Sequence, residues 1–430
     1  MRGVFGAILH GQHQVQPTAV RPAREHMSPE PSTRIHETTA KSILRRRQAI
    51  DGWFVSRCGM NLYRGCAHDC SYCDGRAEGY YVEGEFGRDV VVKVNAPALL
   101  ARELDPRRKR KPFHPGFVLL GGGVGDSYQP VEQRYCLARR ALQEIAHYGY
   151  ATHVLTKSTL VERDRDVLHQ IDRRARALVS FSISTVDDSL AAVFEPHVPP
   201  PSERLAALAR LKRHGLHCGV FLMPVVPFVT DTPEQIDRSV AAAARHGADF
   251  VLFGGMTLKV GRQRDHFLAV LRRRFPDMVR NYDIIYGSDK WGNASGEYYR
   301  MIDELFYQSA RRHGVPLRIP LELCRPVLTT NDFVTVALDH IHYVLRLRGQ
   351  TSYFGAAARS VARLDVPLET KRDRLRELHA VGPQVARVIR ELLDTGKCGY
   401  LSALMRGDRG APNIRTRYMA GPADARDHNH

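Results

Sequence analysis

The segment Tyr63-Arg-Gly-Cys66-Ala-His-Asp-Cys70-Ser-Tyr-Cys73 places three thiols in a CxxxCxxC. Three thiolates on one tight loop can wrap a face of a cubane iron–sulfur cluster, because adjacent irons take ligands from different directions. The fourth iron is then left without a protein ligand and stays open to another molecule. The competing reading is zinc, with Cys58 completing a Cys₄ set around the Cys70-x-x-Cys73 knuckle. Structural zinc sites pair two short knuckles, and this chain has no second one, so the spacing favours the cluster. The chain has eight cysteines, at 58, 66, 70, 73, 136, 218, 324 and 398, and four fall in one short window. A disulfide framework would not bunch them this way in a large cytosolic chain. Downstream, the glycines Gly121, Gly122 and Gly123 directly follow the apolar run Phe117–Leu120. A turn without Cβ atoms lets a ligand approach the backbone closely, although such a triplet alone is more often a flexible turn.

The elements that must position these residues alternate in type. Short apolar runs at 117–120, 152–155, 178–183, 218–223 and 250–253 are separated by helical patterns at 131–148, 160–173, 202–214 and 233–246. Buried strands alternating with helices mean βα units and a parallel sheet, about six units counting one strand near the cysteines. Either a partial barrel or an open doubly wound sheet satisfies that count. Residues 1–40 are rich in Pro, His, Arg and Thr without periodicity and read as a disordered arm. The α/β region then spans 41–310 and a linker 311–331. A small all-α domain follows at 332–405, and a loose polar tail at 406–430.

Sixty-three Lys and Arg against 46 Asp and Glu leave a formal charge of +17 over 430 residues, and the pI is near 9.7. Basic runs occur at 45–47, 107–111 and 272–274. Single runs are usually solvated faces, but the global excess points to nucleic acid or an anionic cofactor. No stretch approaches the roughly 20 apolar residues a membrane span needs, and the first residues lack the h-region of a signal peptide. A cytoplasmic protein without membrane contact is expected.

CxxxCxxC with an aromatic just before the last cysteine resembles the signature of the radical S-adenosylmethionine (SAM) superfamily. That resemblance implies a partial (β/α)6 barrel and two cofactors, a [4Fe–4S] cluster on Cys66, Cys70 and Cys73, and SAM. The open iron would chelate the SAM amino and carboxylate groups. An electron from the cluster would then cleave SAM to a 5′-deoxyadenosyl radical that abstracts hydrogen from substrate. It further implies that Tyr72 packs on the adenine and that the 121–123 turn receives the SAM amino group. A reductant such as flavodoxin or ferredoxin would be the electron partner.

Across roughly 40–310 the chain is similar to the spore photoproduct lyase-like branch, also called DNA repair photolyase-like. The matching pieces are AKSIL at 40–44, NLYRGCAHDCSYC at 61–73, GGGVGDSYQPVE at 121–132, THVLTKS at 152–158 and SFSIS at 180–184. FEP at 194–196, RLAAL at 204–208 and the stretch 275–299 follow in the same order. By that resemblance Lys157 and Ser182 contact SAM, at the C-terminal ends of strands where α/β folds place ligands. Two departures matter. The lyase returns a hydrogen atom through a cysteine where this chain has Gly123, and through a tyrosine where it has Asp74. Cys136 or Cys218 is a candidate substitute, although Cys136 falls in a helical pattern that fits a small buried hydrophobe. Reversal of the thymine photoproduct itself is therefore not expected.

Residues 375–403, LRELHAVGPQVARVIRELLDTGKCGYLSA, resemble the helix-hairpin-helix of X-family DNA polymerases. A hairpin opening into a helix N-terminus offers backbone N–H groups and a positive dipole end to one phosphate. Gly382, Arg387, Arg390 and Lys397 are the candidate nucleic-acid contacts, with Ala380 standing where the first hairpin glycine is usual. The expected function is a radical SAM enzyme acting on a damaged or modified base in DNA. RNA or protein as substrate, or a DNA-binding protein whose cluster is structural or redox-sensing, are the alternatives. The histidines of Asp339-His340-Ile341-His342 lack ligand spacing and read as ordinary helix residues.

Overall fold

The computed structural model describes residues 33–407 except 81, 83, 110–112, 114, 115 and 123. Most of the expected disordered arm, residues 1–32, and all but the first two residues of the expected tail lie outside the described residues, as does Gly123. Among the described residues the ten strands are β1 Arg34–Thr38, β2 Leu44–Asp51, β3 Ser56–Met60, β4 Tyr63–Arg64, β5 Asp89–Lys93, β6 Phe117–Leu120, β7 Ala151–Thr156, β8 Ala177–Ile183, β9 His217–Val225 and β10 Val251–Gly255.

Seven of these form one curled half-barrel sheet in the order β2-β3-β6-β7-β8-β9-β10. All neighbours from β3 onward are parallel, and β2 is antiparallel at the edge. Every residue of β6 and of β8 is buried. That is why each reads as a continuous apolar run: a parallel strand covered on both faces has no polar side. Helices Leu137–Tyr148, Arg165–Arg174, Pro201–Arg213 and Pro233–Arg245 cross over between successive strands. The sheet is thus the barrel form of the two arrangements the strand count allows.

Two local features differ from the periodicity. The 131–148 helical pattern is broken at Cys136, which adopts left-handed φ 51 between helices Glu132–Tyr135 and Leu137–Tyr148. A small second sheet, in the order β1-β5-β4, pairs Arg34–Thr38 with β5, whose other edge carries β4, the strand that leads into the cysteine loop. Buried Asp89 pins it, accepting from Arg34 Nε at 2.8 Å and lying 2.9 Å from His36 Nε2.

The open side of the half-barrel is covered by the C-terminal part of the chain. Val251 at the β10 edge donates to Pro316 O at 2.9 Å, and within 311–331 the side chains of Leu317, Ile319 and Cys324 are buried. Helix Thr330–Leu347 is fixed at its start by Arg57 of β3, whose Nε donates to both Asp332 oxygens at 2.9 Å. Near its end Arg346 pairs with Asp303 of helix Gly296–Arg312 at 2.5 Å. Between these anchors the Arg318 guanidinium lies 4.6 Å from the Trp53 ring centre and 3.7 Å from that of Tyr343. Such stacking recovers part of the cost of burying the cation.

Candidate active site

The cysteine loop begins at Gly65, where φ is 79 and a Cβ would stand 2.3 Å from Asp89 O, so only glycine fits. The buried Gln129 side chain straps the turn, accepting from Ala67 N at 2.9 Å and donating to Gly65 O at 3.1 Å. Further on, Arg76 donates to the carbonyls of Cys70 and Asp69, both at 3.1 Å, and pairs with the Asp69 carboxylate. The Ser71 amide donates to Phe194 O at 2.8 Å and the Cys73 amide to Cys70 O at 3.2 Å. Every turn of the loop is therefore held by a group that is not a cysteine thiol, which leaves the thiols free to ligate.

Cys66 and Cys70 are buried and Cys73 is half-buried. Burial pushes all three thiols up; the charge of Cys73 also acts on Cys66, and those of Cys73 and Cys66 act on Cys70. The Lys157 charge acts in the opposite sense on Cys70 and Cys73. Buried thiols of this kind become thiolates when a metal centre supplies the compensating charge. Cys58 is placed elsewhere, in β3 with Arg46, Arg57 and Glu103 as charged neighbours, so it is not a fourth ligand of the trio. Among the described residues no three His, Cys, Asp or Glu side chains gather around one metal-ion position. Thiolates on three irons of a cubane stand further apart than ligands of a single ion. The donor set fits a [4Fe–4S] cluster with one open iron.

Beside the loop, Lys157 and Ser182 project from the C-terminal ends of β7 and β8. Lys157 Nζ donates to Ser182 Oγ at 2.8 Å and to Glu195 Oε1 at 3.3 Å, and lies 5.5 Å from the Tyr72 ring centre. Glu195 is the hub. It also accepts from Tyr72 Oη, from Ser184 Oγ at 2.9 Å and from Arg204 Nη2 at 2.5 Å. Burial alone would raise this carboxyl, but the charges of Arg204 and Lys157, with the hydroxyls of Tyr72 and Ser184, bring it down to about 2. Arg204, with no exposed surface, also donates to Ser182 O at 2.6 Å. Tyr72 is pushed well above its usual range by burial and by Glu195, so it is a fixed neutral hydroxyl.

A second carboxylate ties this network to the cysteine loop. Asp126 accepts from Thr156 Oγ1 at 2.8 Å, Lys157 N at 2.7 Å and Tyr128 N at 2.8 Å. His68, inside the CxxxCxxC, holds its Nε2 3.3 Å from Asp126 and its Nδ1 3.1 Å from His197 O. The glycine turn is adjacent. Gly121 has φ 87 and its Cβ position falls 2.2 Å from Leu155 O; at Gly122, with φ 82, it falls 2.8 Å from Leu119. Both glycines are thus required first by the packing of β6 on its neighbours.

The structure therefore joins Cys66, Cys70, Cys73, Tyr72, Lys157 and Ser182, with Gly121 and Gly122 alongside. Sequence reasoning assigns no role to Glu195, Arg204 or Asp126, although Glu195 lies in the FEP segment and Arg204 in RLAAL. Asp74 is fixed on the other side of Cys73, accepting from Thr257 Oγ1 at 2.7 Å and pairing with Lys259 Nζ at 2.8 Å. Of the candidate substitutes for the hydrogen donor, Cys136 is half-exposed at the helix break, not a buried hydrophobe. Cys218 is buried near the start of β9, whereas the Met223 carbonyl that accepts from Ser182 Oγ lies toward its other end. Neither thiol stands with the Lys157 network.

Residues 60–232 match the family model described as the radical SAM superfamily. An uncharacterised protein of Mycobacterium tuberculosis is 33% identical over 255 residues, covering 58% of this chain and 73% of that one. An uncharacterised protein of Acidianus two-tailed virus is 28% identical over 233 residues, covering 52% and 73%. Among solved structures, a mutant of spore photoproduct lyase aligns with TM-score 0.49 at 15% identity over 65% of this chain and 79% of the other. SuiB of Streptococcus suis bound to S-adenosylmethionine aligns with TM-score 0.32 at 13% identity over 60% and 49%. Residues 60–232 are thus a radical SAM domain. Its cofactors are accordingly a [4Fe–4S] cluster and SAM, and it is an enzyme.

The candidate nucleic-acid residues lie apart from this site, in helices that pack on Thr330–Leu347. Gly382 is the N-cap of helix Pro383–Thr395, and no side chain caps that helix start. Arg387, Arg390 and Lys397 are exposed. Ala380 takes φ 62, the left-handed conformation for which glycine is the default. No helix among the described residues is long and apolar enough to cross a membrane.

Proposed function

We propose that this enzyme is spore photoproduct lyase-like in type and acts on a damaged or modified base in DNA, the barrel performing the radical chemistry and the C-terminal hairpin holding the backbone. When bound, the cluster and SAM together supply the 5′-deoxyadenosyl radical that abstracts hydrogen. The chain's own residues orient the reactants. Cys66, Cys70 and Cys73 would ligate the cluster, Tyr72 would meet the adenine with its hydroxyl fixed by Glu195, and Lys157 and Ser182 would bind SAM polar groups. Lysine and serine are already preorganised by Glu195 and Arg204, so little ordering remains at the moment of binding.

The observation that carries the nucleic-acid half is the start of helix Pro383–Thr395. Its first amides have no side-chain acceptor, Ala380 holds the hairpin's left-handed turn, and Arg387 and Arg390 are exposed on the same helix, with Lys397 exposed beyond its other end. A phosphate satisfies such amides without reading sequence. A base inside a duplex must flip or melt to reach the barrel, which costs least at a lesion. Asp74, locked on Lys259, cannot serve as a phenolic relay, so the lyase's own hydrogen return does not carry over.

Fluorescence anisotropy with labelled duplex DNA, competed by unlabelled duplex or by structured RNA, tests the substrate class. Binding with a steep negative salt dependence and preferential competition by duplex supports DNA. Stronger competition by RNA moves the substrate there, and no binding to either removes the nucleic-acid reading.

A further inference from the structure

A groove of about 510 Å³ opens between helix Asp188–Phe194 and helix Arg262–Arg274, and its lining includes Asp69, Ser71, Val193, His266, Arg273 and Arg274. Nothing in the SAM site uses it. Its inner wall is the outer side of the cysteine loop itself: Ser71 follows Cys70 and is joined through its amide to Phe194 O at the end of the helix forming one side. Ser71 is 3% exposed, and its hydroxyl is buried with no partner. The groove is therefore a place where the protein surface reaches a residue bonded to a cluster ligand.

Its rim and floor differ in character. Arg273 and Arg274 line the groove from the last turn of their helix, with Arg272 exposed beside them, while Val193, Val270 and Pro196 supply apolar surface. Cations in that turn are favoured by the helix dipole, yet these three make no ion pair among the described residues. Cations around an apolar centre suit an acidic protein face whose own centre is apolar. They suit a nucleic acid less well, since phosphate binding needs no apolar floor.

Cleaving SAM needs an electron, and a cluster held by these buried thiols would lie inside the protein. We propose that this groove docks a small acidic one-electron carrier protein, carrying a flavin or an iron–sulfur centre, and delivers its electron through Ser71 and Cys70. The reduced carrier loses one electron, the oxidised cluster gains it, and no atom or proton changes hands. The inference rests on the cluster being held by Cys66, Cys70 and Cys73.

The test uses the full chain with its cluster reconstituted anaerobically and photoreduced flavodoxin as the probe. Binding is measured by calorimetry with oxidised flavodoxin, and cluster reduction by stopped-flow bleaching of its visible absorbance. Arg273→Glu with Arg274→Glu should weaken flavodoxin binding and slow reduction by it at least about tenfold, because the charges that steer and hold the carrier are reversed. Reduction by dithionite should stay at the wild-type rate. Reversing a basic run elsewhere, Arg107→Glu with Arg108→Glu, should change neither readout. Filling the groove by Val270→Trp should slow flavodoxin alone. Wild-type binding and rates in the double reversal would overturn the proposal, as would equal losses in the Arg107/Arg108 control. Loss of duplex DNA binding with unchanged flavodoxin reduction would assign the groove to a polyanion instead. Iron content and dithionite bleaching report the cluster separately: if the wild type lacks either, the cluster assignment itself fails and this docking role falls with it.

Discussion

The strand ends of the barrel and the C-terminal hairpin hold their polar groups in opposite ways. Around Glu195 every charge has a partner inside the protein: Arg204, Lys157, Tyr72 and Ser184 converge on one buried carboxylate. At the hairpin the helix start is uncapped, and Arg387, Arg390 and Lys397 face solvent. The first region is built before its ligand arrives. On the proposed function, the second would be completed by one. Substitutions should therefore cost stability in the first and affinity in the second.

The largest effect lies between them. Cys70→Ala should remove a cluster ligand outright, with visible absorbance and 5′-deoxyadenosine formation falling to background while circular dichroism is retained. Next comes Glu195→Ala. It strands fully buried Arg204 without its counter-charge, a loss of about 3–5 kcal/mol for a broken buried pair, measurable by urea unfolding. Acid should reveal the same group. Its pKa is depressed from 4.5 to about 2, so its stabilisation is complete above about 4.5 and is lost as pH falls towards 2. In Glu195→Gln the part of the stability slope belonging to that window should disappear; an unchanged slope would mean that Glu195 is not held as described.

In the hairpin the same logic gives a different pattern. Arg387→Ala with Arg390→Ala should leave stability within about 0.5 kcal/mol, as for exposed sites generally. It should weaken duplex DNA binding and lower the salt slope by about 1 for each phosphate that is no longer neutralised. A fall in stability with affinity unchanged would erase the contrast between the two regions. The smallest effect should come from Ala380→Gly. Relieving φ 62 offsets the added chain entropy of glycine, for a net gain of no more than about 1 kcal/mol in the melting transition.

The same difference governs what can be read from residues alone. β6 and β8 are legible because strands buried on both faces leave unbroken apolar runs, and Cys66, Cys70 and Cys73 because ligand spacing is local. Glu195, Arg204 and Asp126 carry no local sign. A charged residue in a helical or loop sequence looks like solvated surface, and only the packing of distant elements shows that these are buried. β1 escapes a sequence reading for a similar reason: Arg34–Thr38 is mostly polar and half-exposed, and its pairing depends on Asp89 far along the chain. Cys136 misleads because apolar periodicity runs through a break that is made by a single backbone conformation. The hairpin is legible as a resemblance and as charge, yet the role proposed for it depends on a molecule outside the chain.

The central claim is that one chain couples radical chemistry in the barrel to a nucleic acid held by the hairpin. Its most direct test is 5′-deoxyadenosine formation by the anaerobically reconstituted, reduced protein supplied with SAM, with and without duplex DNA bearing lesions. The account expects product in both cases and more with DNA, the increase being abolished in Arg387→Ala with Arg390→Ala. Product that is indifferent to DNA would contradict the coupling, and cluster-loaded protein that forms none would contradict the enzyme.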